Sequence, residues 1–388
     1  MSERPSVGVA VVGFGWMGRV HAQAYARVSH HFPDLPVTVV PVAVADDVPG
    51  RAQGAVRQFG FASATADWRK VLAEPRVAAV SVTAPNFLHR EIGTAVAQAG
   101  KHLWIEKPVG LTAADARAVA AASEVAGVQG VVGFNYRHAP AVAAARRLIS
   151  DGAIGNVTHA RFRLFSDYAA SPEGALTWRY ERSRGGSGVI GDLASHGVDL
   201  VRHLLGEPSS LIADTAVFVT ERARPTGATS GHARVAGGER GQVENEDYVA
   251  ALMRLPSGAR VVLEASRVAV GEQNTYGFEV HGTTDSLSWD FRRMGELQIG
   301  RGEAPQDQAV STVHVGPGAG EYAAFQPGAG NAMSFDDLKV IEAALFLRSI
   351  AEQRPYGAGL LDAVRCAELL EAMATSAESG CWVDVSAG

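Results

Sequence analysis

The sequence predicts an α/β protein with two domains, a doubly wound parallel sheet followed by an α+β domain. Between residues 7 and 134, apolar segments of strand length alternate with helical segments, which is the order of a parallel sheet with right-handed crossovers. Beyond residue 206, a series of strands precedes two long helices, and this order indicates an α+β domain. A chain of 388 residues also exceeds the usual size of one hydrophobic core. We place the domains at residues 1–137 and 138–388.

The first element is a buried strand that runs into a glycine-rich turn. Val7–Val12 is nearly all apolar, as expected for a parallel strand covered by helices on both faces. The next six residues form a G-x-G-x-x-G turn in front of an apolar-periodic helix, the context in which this motif holds a dinucleotide. We therefore predict a Rossmann domain whose cofactor lies against Gly13, Phe14, Gly15, Trp16, Met17 and Gly18. The alternative is a glycine-rich turn that binds nothing.

A second apolar strand, Pro36–Ala45, ends in an acidic residue. Asp46 stands where such folds hold the 2′-hydroxyl of the NAD ribose, and its charge would repel a 2′-phosphate. This position favours NAD over NADP, although Arg51 nearby could accept a phosphate. The alternative is that Asp46 simply ends the strand.

Two more strands deliver polar residues to the same edge of the sheet. Val77–Thr83 leads into a turn with Pro85 and Asn86, while His102–Ile105 leads into Glu106-Lys107-Pro108. Ligands of doubly wound sheets bind at the carboxyl ends of the strands, so both turns are expected on the cofactor side. Lys107 can therefore be held against a ligand. The alternative, a solvated surface lysine, is what most lysines are.

The remaining elements of the first domain are predicted mainly from residues that begin or end a helix. Leu88–Ala99 is a helix that stops at Gly100. Thr112 and Asp115 form a capping-box-like start of a helix that reaches Ala126. The other predicted elements are a short helix at Ala66–Ala73 and a strand at Gln129–Phe134.

The most informative segment of the second domain is a predicted helix from about Ile190 to Leu205, closed by Gly206. Asp192 and His196 are four residues apart, so their side chains meet on one face of that helix. Spacing alone leaves three possibilities open: a solvated helix face, an Asp/His metal site, and a catalytic pair.

The rest of the second domain consists of strands followed by helices. The predicted elements are a helix at Ala141–Ile149, strands at Val157–Phe165, Leu211–Thr220, Asp247–Leu255, Arg260–Arg267, Gly277–His281, Leu287–Phe291 and Leu297–Ile299, helices at about Phe335–Gln353 and Leu360–Glu378, and a final strand at Cys381–Val385. Two segments are predicted to be long loops, Arg222–Gln242 and Gly300–Asn331.

Four separated motifs together carry a resemblance to a known family. They are the N-terminal VVGFGWMG, Thr83-Ala-Pro-Asn86 with His89, Glu106-Lys107-Pro108, and Gly191-Asp192-Leu-Ala-Ser-His196. In this order they resemble the glucose–fructose oxidoreductase/inositol dehydrogenase (Gfo/Idh/MocA) family. The resemblance implies that the Rossmann domain precedes an open, mostly antiparallel sheet, and that the chain forms a homodimer or homotetramer. It further implies cofactor contacts at Thr83, Pro85, Asn86, His89, Glu106 and Lys107.

The same resemblance implies that Lys107, Asp192 and His196 are catalytic. Oxidation of a secondary alcohol by hydride transfer requires that the hydroxyl proton leave or that negative charge develop on the oxygen. Histidine as a residue type titrates near neutral pH, so His196 suits a general base, while Lys107 can stabilise the developing charge. Asp192 would orient the substrate or keep Lys107 charged. Whether Lys107 or His196 takes the proton stays open.

Within the family, the chain is most similar to inositol-, levoglucosan- and related cyclic-sugar dehydrogenases. The similar segments are Phe32-Pro33, Phe134-Asn135-Tyr136-Arg137, Ser166-Asp167-Tyr168 and Trp178-Arg179. The expected substrate is a non-phosphorylated cyclic polyol or sugar, bound by the catalytic residues together with Tyr136, Asp167, Tyr168 and Arg179. Levoglucosan-type enzymes tend to carry Gln-Asp-Trp where this chain has Ser166-Asp167-Tyr168.

Three other functions remain as alternatives. A nucleotide-sugar or antibiotic-pathway ketoreductase would use cations for the diphosphate, such as Arg179, Arg182 and Arg184. A regulator would bind NAD and sugar without turnover. A redox-neutral glycosidase would borrow NAD for a transient oxidation.

The composition describes an ordinary globular protein, with 47% hydrophobic and 20% charged residues. A net charge of −6 argues against nucleic acid or an anionic membrane as a general partner. Two cysteines, Cys366 and Cys381, make no disulfide framework, and the apolar start carries the glycine motif without a cleavage pattern. We therefore expect a cytoplasmic enzyme without a metal ion.

Overall fold

The computed structural model describes residues 4–225, 227, 233–235, 237–302 and 306–385. The chain divides into two compact units. The first holds the residues up to His138 together with Met333–Arg365, and the second holds Ala139–Ala332 together with the chain from Cys366 onward. The sequence prediction assigned everything after residue 137 to the second domain, whereas Met333–Arg365 groups with the first unit.

The first unit is built on a six-stranded sheet in which every neighbouring pair is parallel. The strand order is β3-β2-β1-β4-β5-β6, so the predicted doubly wound sheet is confirmed. Its elements are β1 (Ser6–Val12), α1 (Trp16–His31), β2 (Thr38–Ala45), α2 (Arg51–Phe59), β3 (Ser63–Thr65), α3 (Trp68–Ala73), β4 (Ala79–Val82), α4 (Asn86–Gln98), β5 (His102–Ile105), α5 (Ala113–Ala126) and β6 (Gly130–Val132).

Two elements of this unit have no counterpart in the sequence prediction, the helix α2 and the edge strand β3. The strand β3 has three residues and none of them is buried, so it lacks an apolar run that would identify it. The capping box predicted at the start of α5 is confirmed, because the Thr112 hydroxyl accepts from the Asp115 N–H and the Asp115 carboxylate accepts from the Thr112 N–H.

The second unit contains a nine-stranded open sheet that is mostly antiparallel, as the resemblance implied. Among the described strands of this sheet, the central β7–β12 pair alone is parallel. The strand order is β16-β15-β14-β13-β7-β12-β11-β8-β17. The elements from residue 139 onward are α6 (Pro140–Ser150), β7 (Val157–Phe165), α7 (Arg182–Gly185), α8 (Ser195–Leu205), β8 (Ser210–Ala216), β9 (Glu221–Ala223), β10 (Arg240–Gln242), β11 (Tyr248–Arg254), β12 (Arg260–Ser266), β13 (Thr275–Gly282), β14 (Ser286–Asp290), β15 (Glu296–Arg301), β16 (Ala309–His314), α9 (Phe335–Glu352), α10 (Leu360–Ser379) and β17 (Val383–Asp384).

The prediction of two uninterrupted long loops is wrong. The first segment contains β9 and β10, which pair as a small antiparallel ribbon, and the second contains β16 at the edge of the large sheet. Residues 226, 228–232, 236 and 303–305 of these segments lie outside the described part of the chain. The ribbon strands have three residues each, and every residue of β16 is exposed, so neither segment contains the apolar run by which a strand is recognised in a sequence.

The predicted helix at Ile190–Leu205 is not a continuous α-helix. Its first five residues, Ile190–Ala194, form a π-helical turn, and α8 follows directly from Ser195. Gly206 ends α8 with a positive φ of 95°, as the glycine predicted. Gly197 lets α8 approach the sheet, since a Cβ there would lie 2.6 Å from Leu164 Cδ2.

Candidate active site

The three glycines of the first turn each have a different environment. Gly13 has a φ of +88°, and a Cβ there would lie 2.7 Å from the Ala84 nitrogen. A Cβ on Gly18 would lie 2.2 Å from the Gly13 carbonyl oxygen, so this glycine lets α1 pack against the turn. A Cβ on Gly15 would meet no atom within 4 Å. Gly15 directly precedes α1, and no side chain caps the N-terminus of that helix. An uncapped helix N-terminus behind an open glycine is the cradle that a pyrophosphate fits.

The side chains between these glycines point to different surroundings. Phe14 is buried and packs edge-on against Phe59, with ring centroids 5.9 Å apart. Trp16 is 69% exposed and stacks on Phe335, which begins α9. Met17 is half-buried. Of this turn, therefore, the backbone and the face of Trp16 are the parts available to a nucleotide.

Asp46 is fixed at the carboxyl end of β2. Its Oδ2 accepts from the Phe14 N–H at 2.5 Å and its Oδ1 accepts from the Val48 N–H at 2.8 Å. The Arg51 guanidinium lies 3.8 Å from Oδ1. A carboxylate has about four acceptor sites, so Asp46 can still accept hydrogen bonds from ribose hydroxyls. The structure thus ties this carboxylate directly to the glycine turn.

The turn after β4 is tied to the glycine turn and to the turn after β5. The Thr83 hydroxyl donates to the Gly13 carbonyl, and Pro85 precedes α4, whose first residue is Asn86 and whose start has no side-chain cap. The buried ring of His89 lies between two main-chain carbonyls, with Nε2 2.7 Å from the Ala84 oxygen and Nδ1 2.8 Å from the Pro108 oxygen. His89 therefore links the two turns from inside the fold.

Glu106 points into the interior, where it meets two side chains that the sequence analysis did not select. Its Oε1 lies 2.8 Å from His21 Nε2 and 2.6 Å from Lys339 Nζ. Burial would raise the pKa of Glu106, but the charge of Lys339 and the hydrogen bond from His21 hold the pKa well below its usual range. Lys107, the next residue, is half-buried at the carboxyl edge of the sheet.

In the second unit, the π-helical turn carries Asp192 and the first turn of α8 carries His196. The Tyr168 hydroxyl donates to Asp192 Oδ2 at 2.5 Å. Burial, together with the adjacent Asp192 charge, raises the pKa of Tyr168 well above its ordinary value, so the phenol remains a donor. Tyr276, on β13, has a pKa raised by burial and by the same carboxylate. The polar centre of this unit therefore contains two tyrosines, one of which the sequence analysis missed.

The other predicted substrate residues lie in three places. Tyr136 belongs to the first unit and is buried, and the centres of its ring and the Phe335 ring lie 6.4 Å apart. Asp167 adjoins Tyr168 and is half-buried. The Arg179 guanidinium lies 4.4 Å from the centre of the Trp178 ring. Of the predicted substrate residues, the structure brings Tyr168 and Asp192 into direct contact.

The metal site that the spacing of Asp192 and His196 left open would need further ligands beside this pair. Within the described ranges, no group of three or more His, Cys, Asp or Glu side chains is placed to hold an ion. Both cysteines are reduced, Cys366 buried and Cys381 exposed. Of the helices described, none is long and apolar enough to cross a bilayer.

The residues that the sequence analysis missed had weak signals in the sequence. Lys339 and Glu342 are three residues apart in α9, a spacing that also fits a solvated pair on a helix surface. The apolar residues around them in FDDLKVIEAALF are the only sign that this face is buried. His21 lies in an apolar helix stretch in the same way, and Tyr276 in an ordinary strand.

Two family models match the chain. Residues 7–134 match the NAD-binding Rossmann fold of the oxidoreductase family GFO_IDH_MocA, and residues 142–288 match a GFO/IDH/MocA C-terminal domain. The first match lies in the first unit and the second match lies in the second unit, and residues 289–388 belong to neither match.

Known proteins are similar over the full length. The levoglucosan dehydrogenase of Pseudarthrobacter phenanthrenivorans is 35% identical over 383 residues, 98% of each chain. An inositol 2-dehydrogenase of Rhizobium meliloti is 29% identical, covering 90% of this chain and 98% of the relative. A levoglucosan dehydrogenase solved with NADH and levoglucosan superposes with a TM-score of 0.91 at 34% identity, over 98% of this chain and 99% of that one. An oxidoreductase domain protein of Kribbella flavida superposes with a TM-score of 0.90 at 31% identity, over 98% and 100%.

Proposed function

Because this chain belongs to the Gfo/Idh/MocA oxidoreductase family, we propose that it oxidises a secondary hydroxyl of a non-phosphorylated cyclic polyol or sugar to the ketone, with NAD as the hydride acceptor. The predictions of an oxidoreductase and of NAD as cofactor are confirmed by the family match and by relatives solved with NADH. The substrate class is the part that we propose.

The observation that carries this proposal is the end-to-end similarity to a levoglucosan dehydrogenase. An inositol dehydrogenase is also similar over nearly its whole length. Both names describe cyclic, hydroxyl-rich substrates without phosphate. The polar centre around Asp192 suits such a ring, because a carboxylate accepts hydrogen bonds from hydroxyls and the neighbouring tyrosine rings offer apolar faces.

NAD, when bound, supplies the acceptor for the hydride that leaves the carbinol carbon. The open glycine turn and Asp46 would hold its pyrophosphate and ribose. Lys107 donates a hydrogen bond to the reacting oxygen and stabilises the negative charge that develops there. The hydroxyl proton passes to an unprotonated ring nitrogen of His196 or, where Lys107 starts as the neutral amine, to its Nζ, which then carries the positive charge beside the oxygen. The hydride and the proton together leave the C–OH group as C=O. Asp192, held by Tyr168, orients the substrate hydroxyls.

The remaining predicted substrate residues have supporting roles in this proposal. Asp167 would accept hydrogen bonds from hydroxyls, and Tyr136 and Arg179 are proposed as further substrate contacts. Two arginines that a diphosphate would need have carboxylates nearby, Arg182 with Glu378 at 3.7 Å and Arg184 with Glu181 at 3.6 Å. This pairing gives the nucleotide-sugar alternative no specific support. We also expect a homodimer or homotetramer, which light scattering on the purified protein would test.

The experiment is a panel of anhydrosugars, inositols and simple glycosides, mixed with the protein and NAD while NADH absorbance is followed. We expect NADH to form with one of these classes and the corresponding ketone to appear in equal amount. Binding of NAD, measured by calorimetry, is the control that the protein is competent. Competent protein that forms no NADH with any member of the panel would overturn the proposed substrate class.

A further inference from the structure

A buried cluster of four ionisable side chains lies beneath the turn that carries Lys107. Lys339 of α9 donates to Glu106 Oε1 at 2.6 Å and to Glu342 Oε2 at 2.8 Å. His21 of α1 reaches the same Glu106 oxygen at 2.8 Å. Glu106 is 7% exposed, and the other three side chains are 1% exposed or less. The cluster thus joins two helices to the residue that immediately precedes Lys107.

The charges in this cluster are arranged around one ion pair. Burial raises the pKa of Glu342, although the charge of Lys339 opposes this shift. Burial also lowers the pKa of His21 to about 4, which leaves its ring neutral near pH 7. A carboxylate only accepts, so the neutral ring carries its hydrogen on Nε2 and donates it to Glu106. Lys339 therefore supplies the one full positive charge that balances Glu106.

Such a pair is a poor way to gain stability. Removing two charges from water costs several kcal/mol per ion, and well-packed apolar residues in their place are often as stable. Apolar side chains could pack in place of the charged pair, because the cluster already lies beside Trp104 and Phe346, which are both fully buried. The pair does, however, hold one carboxylate at a defined point, and that carboxylate belongs to the Lys107 turn.

The turn is held on the other side of Lys107 as well. The Pro108 carbonyl lies against His89, whose ring also faces the Ala84 carbonyl in the turn after β4. The Glu106 N–H donates to the Val82 carbonyl. Lys107 is therefore flanked by one residue tied to α1 and α9 and by another tied to α4. All of these contacts lie within the first unit.

We propose that Lys339 is a positioning residue for Lys107: by pairing with Glu106 it fixes the main chain from which the Lys107 side chain reaches the reacting oxygen. The catalytic part of this inference rests on the function proposed above. The positional part does not, because it concerns the geometry of the turn in the protein itself.

The chain has four lysines, Lys70, Lys101, Lys107 and Lys339, which makes their individual reactivity measurable. Lys70 is exposed and serves as the internal reference, while the Lys101 amine is buried against the Val77 carbonyl. Acylation of the folded protein with an amine reagent, followed by peptide mass spectrometry across a range of pH, gives the rate at Lys107 relative to Lys70. This ratio requires no turnover.

We expect Lys339→Met to change the Lys107-to-Lys70 ratio at least threefold and to lower kcat at least tenfold, with the Kd for NAD within twofold of the parent value. The matched control is Glu342→Gln, on the same helix and in the same cluster, which leaves the Lys339–Glu106 pair in place. It should keep both the ratio and kcat near the parent values. A folded Lys339→Met protein with the parent ratio would overturn the proposal.

The double variant Glu106→Gln/Lys339→Met separates position from charge. It removes both members of the pair, so it carries no unbalanced buried charge and also serves if Lys339→Met alone does not fold. The proposal expects the altered Lys107 ratio to persist in it, because the tie to α9 is still absent. Return of the parent ratio would mean that Lys339 acts only through its charge. If the parent protein turns over no sugar, the proposed function fails while the labelling ratio still decides the positional inference.

Discussion

Among the single residues, Lys107 differs from an ordinary surface lysine in how its main chain is held. It is half-buried at the carboxyl edge of the sheet, and both its sequence neighbours are anchored inside the fold. Most lysines are solvated and mobile, so an anchored lysine beside a dinucleotide turn is suited to meeting a developing oxyanion.

Lys107→Ala should therefore lower kcat on the order of a hundredfold, the loss expected for one group that stabilises charge in the transition state. NAD binding should change little, because the pyrophosphate cradle and Asp46 remain. Steady-state kinetics and calorimetry measure the two effects. Lys70→Ala, a change on the exposed surface of α3, is the control. Parent-like turnover by Lys107→Ala would remove this residue from the mechanism.

His21 makes the stability of the first unit depend on pH. Burial lowers its folded pKa from 6.5 to about 4, even though Glu106 opposes the shift and Lys339 adds to it. Among the described atoms, the buried His21 Nδ1 has no hydrogen-bond partner, so a proton there would be unsatisfied. An unfolded histidine binds its proton near pH 6.5. The contribution of neutral His21 is therefore complete above pH 6.5 and is lost as pH falls towards 4.

We expect the melting temperature of the parent protein to fall more steeply between pH 7 and pH 4.5 than that of His21→Asn, by an amount equivalent to at most ~3 kcal/mol. Scanning calorimetry at several pH values measures the two slopes. His30→Gln changes an exposed histidine of the same helix and should follow the parent curve. Parallel curves for the parent and His21→Asn would contradict the assignment.

At the scale of elements, the sequence predicted those whose signal is local. The buried strands of the first sheet, the glycine turn and the Thr112 capping box all follow from adjacent residues. The π-helical turn that carries Asp192 could not be predicted in this way, because its start is held by a residue far along the chain. Glu246 accepts from the Val189 N–H through its main chain and from the Ile190 N–H through its side chain.

Glu246→Ala should destabilise the start of this turn, since it leaves the buried Ile190 N–H without its acceptor, a loss of about 1–3 kcal/mol. Because Asp192 lies two residues further on, kcat should fall as well. Glu246→Gln keeps an acceptor oxygen and should retain most of both properties. Denaturant unfolding and kinetics on the two variants provide the comparison. Equal stability of the alanine and glutamine variants would show that the side chain does not hold the turn.

The buried cluster around Lys339 illustrates the same limit. A lysine and a glutamate three residues apart commonly mark an exposed helix face. In α9 these two residues are buried, because the helix packs against α1 and because Phe346 of α9 and Trp104 of β5 surround the charged pair. Burial of this kind is decided by tertiary contacts, so the sequence showed Glu106 but not the partner that fixes it.

At the scale of the whole molecule, the chain returns to its first unit after building most of the second. The segment Met333–Arg365 supplies Phe335 against Trp16, Lys339 against Glu106, and Asp362 against Arg137. The pattern of strands and helices in the sequence predicts the order of the elements. It does not predict that Met333–Arg365 joins the first unit, because this depends on contacts between residues hundreds of positions apart.

A fragment of residues 1–137 should therefore lack a cooperative melting transition and bind NAD poorly, since it misses the partner of Glu106 and the apolar cover of α1. Residues 1–138 joined by a flexible linker to residues 333–365 should regain both properties. Circular dichroism melts and calorimetry with NAD compare the two proteins. A shorter fragment that melts cooperatively and binds NAD as well as the joined one would contradict this organisation.

Hydride transfer from the substrate carbon to NAD is tested most directly with deuterium. A panel substrate that supports NADH formation is prepared with deuterium on its ring carbons, and the reduced cofactor is analysed by mass spectrometry. We expect one deuterium in each reduced cofactor and one reduced cofactor for each ketone formed, because the hydride leaves the carbinol carbon. Reduced cofactor without deuterium, or ketone that accumulates without reduced cofactor, would contradict it.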